Sequence, residues 1–259
     1  SANNGVNGKE LWKSDGTADG TTLVKDIKAG AGGSEPEILG SFGDNIFLAA
    51  ETNATGLELW KSNGTEAGTT LVKDINNGGN DSYPRDFVTI GSHLYFSADD
   101  GNGREIWKSD GTTLGTTKVT NINGGGDANI REVFVFNNEI YFQADNGTNG
   151  KEPWKYNPTT NQATLLKDIR AGGNNSHSYP ASWTALGSTL YFRAQDGDGT
   201  YDLWKTDGTT TSKVKDMNTN QSKGTVVQRL VAFNSKIYFA GSDNKSGDSN
   251  RELWSSDGT

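Results

Sequence analysis

A single tripeptide recurs along the chain and limits what the chain can fold into. Glu-Leu-Trp, or a close variant of it, occurs six times, and its tryptophans lie 48, 47, 47, 50 and 50 residues apart. They are Trp12, Trp60, Trp107, Trp154, Trp204 and Trp254. A repeat of this length indicates stacked copies of one structural unit, because a single copy cannot bury its apolar face alone.

Each copy contains four short runs with the composition of β-strands. In the second copy they are Glu37–Phe42, Asn45–Ala50, Leu57–Ser62 and Thr69–Ile75. β-Branched and aromatic residues fill these runs, and Gly, Asn or Asp bound them, as in strands joined by tight turns. A content of 34 glycines and only 32% apolar residues agrees with many short strands. The sequence therefore predicts an all-β chain of four-stranded antiparallel units, whose strands we name a to d.

A four-stranded unit repeated about every 48 residues predicts a β-propeller with one blade per unit. A solenoid is the competing architecture, but its coils rarely use a four-stranded meander. We expect one domain, residues 1–259, that forms five blades. Strand d of the fifth blade would come from Val24–Ile27, so that both ends of the chain meet in one sheet without a free edge. The expected blades are about 37–75, 84–122, 131–169, 183–217, and 229–257 completed by 20–27.

This closure supplies strand c twice. Lys9–Ser14 and Arg251–Ser256 would both occupy the same place in the fifth blade. A segment of a larger propeller is therefore the alternative architecture.

Three copies of a twelve-residue motif carry a resemblance to a known family. They are Glu10–Thr21 (ELWKSDGTADGT), Glu58–Thr69 (ELWKSNGTEAGT) and Glu105–Thr116 (EIWKSDGTTLGT), with weaker copies that depart at Pro153 and Asp202. The chain resembles, over its whole length, the ELWxxDGT repeats of large secreted or surface-attached bacterial proteins. The resemblance implies an extracellular propeller within a longer chain, with no assigned reaction and no catalytic residues to carry over.

Composition excludes several classes of function. The net charge of −8 opposes nucleic-acid binding, which needs a basic face. The chain has no cysteine, and therefore no disulfide or thiolate metal site. No apolar run is long enough to insert into a membrane, and the first residues, 1–8, lack the features of a signal peptide. We expect the chain to be part of a longer one.

Comparison of the copies separates structural residues from candidate site residues. A residue present in every copy, such as the Trp or the Glu before it, serves the fold, and we expect that Glu to bind a neighbouring turn rather than an ion. Antiparallel strands place the a–b and c–d turns on one rim of the propeller and the b–c and d–a loops on the other. The first rim is nearly uniform in sequence and the second is variable, so binding is expected at the second.

The variable rim carries polar and aromatic residues suited to sugars. Amide and carboxylate groups pair with sugar hydroxyls, and an aromatic ring covers the apolar face of a pyranose. Trp183 is expected at this rim as well, and an ordinary role in loop structure is the alternative for the whole set. The candidate ligand-binding residues are Asp81, Tyr83, Asn175, His177, Tyr179 and Tyr201.

Calcium is the one cofactor that the sequence suggests. Asp196, Asp198 and Asp202 offer oxygen ligands that alternate along a short loop, but the glycine and the distal glutamate of an EF-hand loop are missing.

Catalysis has little support. The two histidines, His93 and His177, fall on opposite rims, and a glycosidase needs two unique acids, whereas most acids here have copies in other repeats. The sequence predicts a non-catalytic, lectin-like adhesion module that binds a surface glycan or another extracellular protein. A structural spacer is the alternative, and a glycan-active enzyme is the third hypothesis.

Overall fold

The chain was analysed as a computed structural model, which describes residues 1–215, 227–241 and 251–258. Every helix or strand among them is a β-strand, 22 in all, so the prediction of an all-β chain is confirmed. In the described ranges there is accordingly no helix that could cross a membrane. The chain folds as two compact units, Ser1–Asn121 and Ile122–Thr259.

The first unit contains three antiparallel sheets. The first sheet has three strands, and the second and third have four each. In chain order the strands are β1 (Ala2–Asn3), β2 (Lys9–Lys13) and β3 (Thr22–Lys25); β4 (Glu37–Phe42), β5 (Asn45–Thr52), β6 (Gly56–Ser62) and β7 (Thr70–Lys73); and β8 (Arg85–Ile90), β9 (His93–Asp99), β10 (Arg104–Ser109) and β11 (Thr117–Lys118).

The second unit also contains three antiparallel sheets. The fourth and fifth sheets have four strands, and the sixth has three. The strands are β12 (Arg131–Phe136), β13 (Glu139–Asp145), β14 (Lys151–Asn157) and β15 (Gln162–Leu165); β16 (Ala181–Leu186), β17 (Thr189–Ala194), β18 (Asp202–Thr206) and β19 (Thr211–Lys215); and β20 (Gln228–Phe233), β21 (Lys236–Gly241) and β22 (Glu252–Ser256).

Within each four-stranded sheet the strands pair in chain order, as a meander from a to d. Strand c carries the Glu-Leu-Trp tripeptide, and successive side chains of a strand point to opposite faces. We call the face that carries the residue before the Trp the front face, and the face that carries the Trp the back face. Successive sheets pack front to back within each unit.

The hydrophobic clusters of the first unit show this packing. Leu11 and Val24 on the front of the first sheet pack against Leu48 and Trp60 on the back of the second. The front of the second sheet packs in the same way against the back of the third, through a cluster that ends on Trp107. Each interface buries large apolar side chains, which is the main source of stability in a repeat protein.

The second unit repeats the arrangement. Trp204 lies between the fourth and fifth sheets, in a cluster with Phe192 and Trp183. Tyr191 and Leu203 on the front of the fifth sheet pack against the back of the sixth, where Trp254 is partly buried. Trp183 is only 7% exposed, so its expected place on the variable rim was wrong.

The expected closure of a fifth blade by the N-terminal strand is not confirmed. β3, which overlaps the expected Val24–Ile27, pairs with β2, while β20, β21 and β22 form a sheet of their own. The physical reason is that β2 and β3 are close in sequence, so their hairpin forms at a small entropic cost of loop closure. The surplus copy of strand c is therefore the one that holds the N-terminal strand d.

The a–b and c–d turns lie at one end of each sheet, which we call the turn end, and the b–c and d–a loops lie at the other, the loop end. At the turn end, the lysine after the Trp reaches the next sheet in three repeats. Lys13 Nζ donates to Gly64 O at 2.9 Å, Lys61 Nζ to Gly111 O at 2.8 Å, and Lys205 Nζ to Gly258 O at 2.6 Å.

Gly111 shows why these turns vary so little. Its φ of +86° strains any other L-residue, and an added Cβ would lie 3.3 Å from Cζ of Phe47 in the preceding sheet. The turn is thus fixed both by its own backbone and by its neighbour.

Candidate functional site

A buried glutamate organises the loop end of the first, second and fourth sheets. Glu58, which is 0% exposed, accepts hydrogen bonds from Ile75 N at 2.9 Å, Asn76 N at 3.2 Å and Ser82 Oγ at 2.6 Å. Strand c is thereby tied to the d–a loop. Glu10 binds Ile27 N, Lys28 N and Ser34 in the same way, and Glu152 binds Ile169 N and Ser178.

These glutamates are structural groups. Burial raises the pKa of Glu58 and that of Glu152 to about 7, against the opposing effect of the hydrogen bonds that they accept. Raised pKa values of this kind also occur in catalytic acids. Here, however, backbone N–H groups and serine hydroxyls of the protein itself donate hydrogen bonds to both carboxylates, and both side chains are fully buried.

The third and fifth sheets replace this arrangement. Glu105 accepts a hydrogen bond of 2.6 Å from Thr120 Oγ1 on its own strand d side. In the fifth sheet the glutamate is replaced by Asp202, which is 0% exposed and pairs with Lys213 Nζ at 2.9 Å.

The predicted calcium ligands meet around this lysine. Asp196, Asp198 and Asp202 each place one oxygen within 4.8 Å of the others. Lys213 Nζ lies 2.6 Å from Asp196 Oδ2 as well as 2.9 Å from Asp202. Burial, which lowers the pKa of Lys213, is outweighed by its hydrogen bonds to Asp196 and Asp202, so this pKa is raised. Asp198 accepts instead from N and Oγ1 of Thr200 in its own turn.

The Asp196–Lys213 pair has a counterpart in the third sheet. Lys118 pairs with Trp107 across the sheet, as Lys213 pairs with Trp204, and its Nζ lies 2.7 Å from Asp100. Asp100 follows the last alanine of strand b by two residues, as Asp196 does.

The second and fourth sheets carry neutral residues at both places. They have Thr52 with Leu71, and Asn146 with Leu165. Acid and lysine therefore occur together or not at all in these four repeats, as expected of an ion pair.

The d–a loop of the second sheet presents Tyr83 to solvent. Its side chain is 51% exposed, and its pKa is raised by a hydrogen bond to the Asp81 carboxylate and by the charges of Asp81 and Glu51. Asp81 Oδ1 also accepts from Leu57 N at 2.7 Å. Glu51 lies at the end of β5 and pairs with Lys28 at 2.6 Å. An exposed ring thus stands near two carboxylates, one of which is paired with an ammonium group.

The fourth sheet has an equivalent cluster. His177 Nδ1 accepts from Lys151 N at 3.0 Å, as Asp81 accepts from Leu57 N. The rings of His177 and Tyr179 meet edge to face at 5.2 Å, and Lys151 Nζ stands 5.7 Å from the centre of the Tyr179 ring. Tyr179 is partly buried by these two neighbours.

Both tyrosines have an unusual backbone. Tyr83 has a φ of +46° and Tyr179 a φ of +48°, a region that bulky residues seldom adopt. Glu35 occupies the same place in the loop after the first sheet, with a φ of +48°, and pairs with Lys9 at 2.9 Å. Each of these three residues follows a serine held by the buried glutamate.

The other two candidates lie apart from these clusters. Asn175 is exposed in the same loop as His177. Tyr201 lies under the guanidinium of Arg193, 4.7 Å from Cζ to the ring centre. The structure therefore brings together Asp81 with Tyr83, and His177 with Tyr179.

Sequence reasoning missed the charged neighbours Lys28, Glu51, Lys151 and Lys213. The available signal was that these positions change residue type between repeats, whereas the positions that serve the fold keep the same residue type. Lys213 in particular replaces the leucine of the second and fourth copies.

Comparison with known proteins bears on the fold alone. A puromycin hydrolase structure matches 86% of this chain with 35% of its own, at 13% identity and a TM-score of 0.52. A prolyl endopeptidase structure matches 92% of this chain with 36% of its own, at 11% identity and the same TM-score. This likeness supports a β-propeller fold, and the chain spans about a third of the length of these proteins. No protein-family model matches the chain, and no curated protein does.

Proposed function

We propose that this chain is a non-catalytic extracellular module that binds glycan through the loop end of its sheets. Tyr83 carries the proposal. The Tyr83 ring is half exposed and lies near the carboxylates of Asp81 and Glu51. The loop holds the Tyr83 backbone in the left-handed region. Backbone strain of about 1–3 kcal/mol persists where the surrounding structure enforces it, as at ligand sites.

The chemistry of this loop suits a sugar. The Tyr83 ring offers a flat apolar face for a pyranose, while Glu51 and Lys28 supply an acceptor and a donor for hydroxyl groups. Tyr179, with Lys151 and His177, is a second position of the same type. Two equivalent weak sites favour avidity for a repeated surface glycan.

Catalysis is not part of the proposal. Burial raises the pKa of Glu58 and that of Glu152, but both carboxylates accept hydrogen bonds from the protein itself. The peptidase activities named for the structural neighbours belong to those proteins, which share no more than 13% identity with this chain.

The location and the finer architecture are also proposals. The extracellular placement rests on the resemblance to ELWxxDGT repeats. Six separate sheets, of which the first and sixth have three strands, favour the alternative that they are successive blades of a propeller larger than five blades.

A glycan array tests the binding proposal. We expect the full chain to retain a defined set of glycans, and Tyr83→Ala and Tyr179→Ala to weaken that retention, because each removes a stacking surface. Leu114→Ala is the matched control, since Leu114 is 93% exposed but lies in the c–d turn of the third sheet, at the turn end. Retention of no glycan by the unaltered chain would favour a structural spacer instead.

The same array, run with and without calcium, separates the ion-pair interpretation from a calcium site. Calcium at about 1 mM, the range of extracellular modules, should leave both retention and the melting temperature unchanged. The reason is that Lys213 already neutralises Asp196 and Asp202. A calcium-dependent rise in melting temperature that is lost in Asp198→Asn would instead support a calcium site.

A further inference from the structure

The loop ends of the second and fourth sheets share a tyrosine but differ in charge. Three positions accompany each tyrosine: the residue before the buried glutamate, the residue before the anchored serine, and the residue after the isoleucine that the glutamate binds. They are Leu57, Asp81 and Asn76 in the second sheet, and Lys151, His177 and Arg170 in the fourth. With histidine neutral, their formal charge is −1 in the second sheet, from Asp81, and +2 in the fourth, from Lys151 and Arg170.

Arg170 joins the cluster of the fourth sheet through His177. Its Nη1 donates to His177 O at 3.4 Å, just as Asn76 Nδ2 donates to Asp81 O at 3.0 Å in the second sheet. A Cβ added at Gly197, in the b–c loop of the fifth sheet, would lie 3.6 Å from Nε of Arg170. The guanidinium therefore lies between this b–c loop and the d–a loop of the fourth sheet, which we call the Tyr179 loop.

The two cations of this cluster lack the acidic partner that four lysines of other sheets have. Those pairs are Lys9 with Glu35, Lys28 with Glu51, Lys118 with Asp100, and Lys213 with Asp196. Within the described ranges, no carboxylate forms an ion pair with Lys151 or Arg170. The Lys151 ammonium stands over the Tyr179 ring instead. A hydrogen bond to an anion is stronger than this contact, so an anionic ligand would recruit the ammonium group.

His177 adds a third donor. Its Nδ1 accepts from Lys151 N, so the proton of the neutral ring lies on Nε2. No residue in the described part of the chain accepts a hydrogen bond from Nε2. The cluster thus offers an ammonium, a guanidinium and an imidazole N–H, and none of these groups is an acceptor. Such a set suits the oxygen atoms of a carboxylate or a sulfate ester.

We propose that the Tyr179 loop binds an acidic sugar. Lys151, Arg170 and His177 Nε2 donate to its carboxylate or sulfate group, and the Tyr179 ring packs against the sugar ring. This inference rests on the proposed glycan binding and narrows it, because Asp81 and Glu51 near Tyr83 oppose an anion. The attraction is local, since a chain with a net charge of −8 repels anions as a whole.

A glycan array built from matched forms of each backbone tests the inference on the full chain. The probes are hexasaccharides of glucuronic, galacturonic and mannuronic acid, each beside its carboxyl-reduced neutral form and the 6-O-sulfated derivative of that form. For the backbone that is retained, we expect the preferred anionic form to bind about tenfold more tightly than the neutral form. Comparison of its two anionic forms then identifies the group, carboxylate or sulfate. Sodium chloride at about 0.5 M should remove most of the preference by screening.

Variants that copy the second sheet assign this preference to the cluster. Lys151→Leu and Arg170→Asn should each lower it about threefold, and the double variant should remove it. Lys108→Gln is the matched control, because it removes the same charge at the turn end of the third sheet, and it should keep the preference. The readout is the ratio of anionic to neutral retention, since a structural loss would lower both forms alike. Circular dichroism and the melting temperature verify that each variant is folded.

Three results would overturn the inference. They are anionic forms that are retained no better than neutral ones, a preference that persists in the double variant, and a preference that Lys108→Gln removes equally well. Each would leave glycan binding itself in place wherever a neutral form is retained. Retention of no glycan of either charge by the unaltered chain would refute the glycan-binding proposal, and this inference with it.

Discussion

The turn end and the loop end of the sheets are built from the same repeat but are held by different contacts. At the turn end, three of the turns accept a hydrogen bond from a lysine of the preceding sheet: Gly64 from Lys13, Gly111 from Lys61 and Gly258 from Lys205. A change in one turn therefore disturbs two sheets. The uniform sequence of this end follows from its role in packing.

At the loop end, one buried carboxylate fixes the d–a loop. Glu58 holds the d–a loop by Ile75 N, Asn76 N and Ser82. Tyr83, which follows the anchored Ser82, is half exposed, and the same position carries Glu35 in the first repeat. The comparison teaches that a fixed anchor leaves the rest of a loop free to vary, and that recognition is expected among the free residues.

The largest expected effect comes from removing the anchor. Glu58→Ala leaves two backbone N–H groups and one hydroxyl without their acceptor, and we expect a loss of about 3 kcal/mol of unfolding free energy. Urea unfolding followed by tryptophan fluorescence measures it. Glu252→Ala is the control, because Glu252 occupies the same repeat position but is exposed and should cost almost nothing. Equal losses for both would show that the anchor contributes little.

The ion pair of the third sheet offers a sharper comparison, since the second sheet carries its neutral equivalent. Lys118→Leu alone leaves Asp100 partly buried without its partner, and should cost about 1–2 kcal/mol. Adding Asp100→Thr recreates the Thr52–Leu71 pair of the second sheet and should recover most of that loss. A double-mutant cycle measures the coupling, and strictly additive losses would refute the pairing.

The pH dependence of stability tests the burial of the anchors. The pKa of Glu58 is raised from 4.5 to about 7 in the folded chain, so its stabilising contribution is present below pH 4.5 and is lost as the pH rises through 7. Glu58→Gln cannot titrate. The difference in unfolding free energy between the unaltered chain and this variant should therefore shift against the unaltered chain between pH 4.5 and 7. A shift in its favour would mean that hydrogen bonding to the carboxylate outweighs burial.

The smallest expected effect lies in a turn. Asn63 stands where the first, third and fifth copies have Asp15, Asp110 and Asp207, whose pKa values are lowered by hydrogen bonds from threonines of the turn. Asn63→Asp should raise the melting temperature slightly, because a charged acceptor strengthens the bond to Thr65 N. Thermal unfolding at low salt checks it, and a lower melting temperature would contradict it.

Much of the fold could be predicted from the sequence. Strand periodicity and turn residues predicted β4 at Glu37–Phe42, as observed. They also predicted the four strands that are found in each of the four complete sheets. The closure could not be predicted, because the sequence supplies strand c twice and only pairing geometry decides which copy binds β3. The prediction favoured removal of a free edge, whereas the structure keeps the local hairpin.

The candidate site was predictable in kind but not in detail. The variable loops pointed to Tyr83 and Tyr179, but their positive φ could not be foreseen, because bulky residues seldom adopt it. The alternating aspartates suggested an ion, and only the structure shows Lys213 between Asp196 and Asp202. Trp183 was expected at the variable rim, but it is buried in the cluster between the fourth and fifth sheets.

The central claim is that the turn end stabilises the chain and the loop end binds. Melting temperature and glycan retention measured on the same two variants, Lys61→Ala and Tyr83→Ala, test it most directly. Lys61→Ala should lower the melting temperature and leave retention intact, because it removes only the hydrogen bond to Gly111 O. Tyr83→Ala should abolish or weaken retention at an unchanged melting temperature. A Tyr83→Ala chain that melts earlier and still retains every glycan would contradict the account.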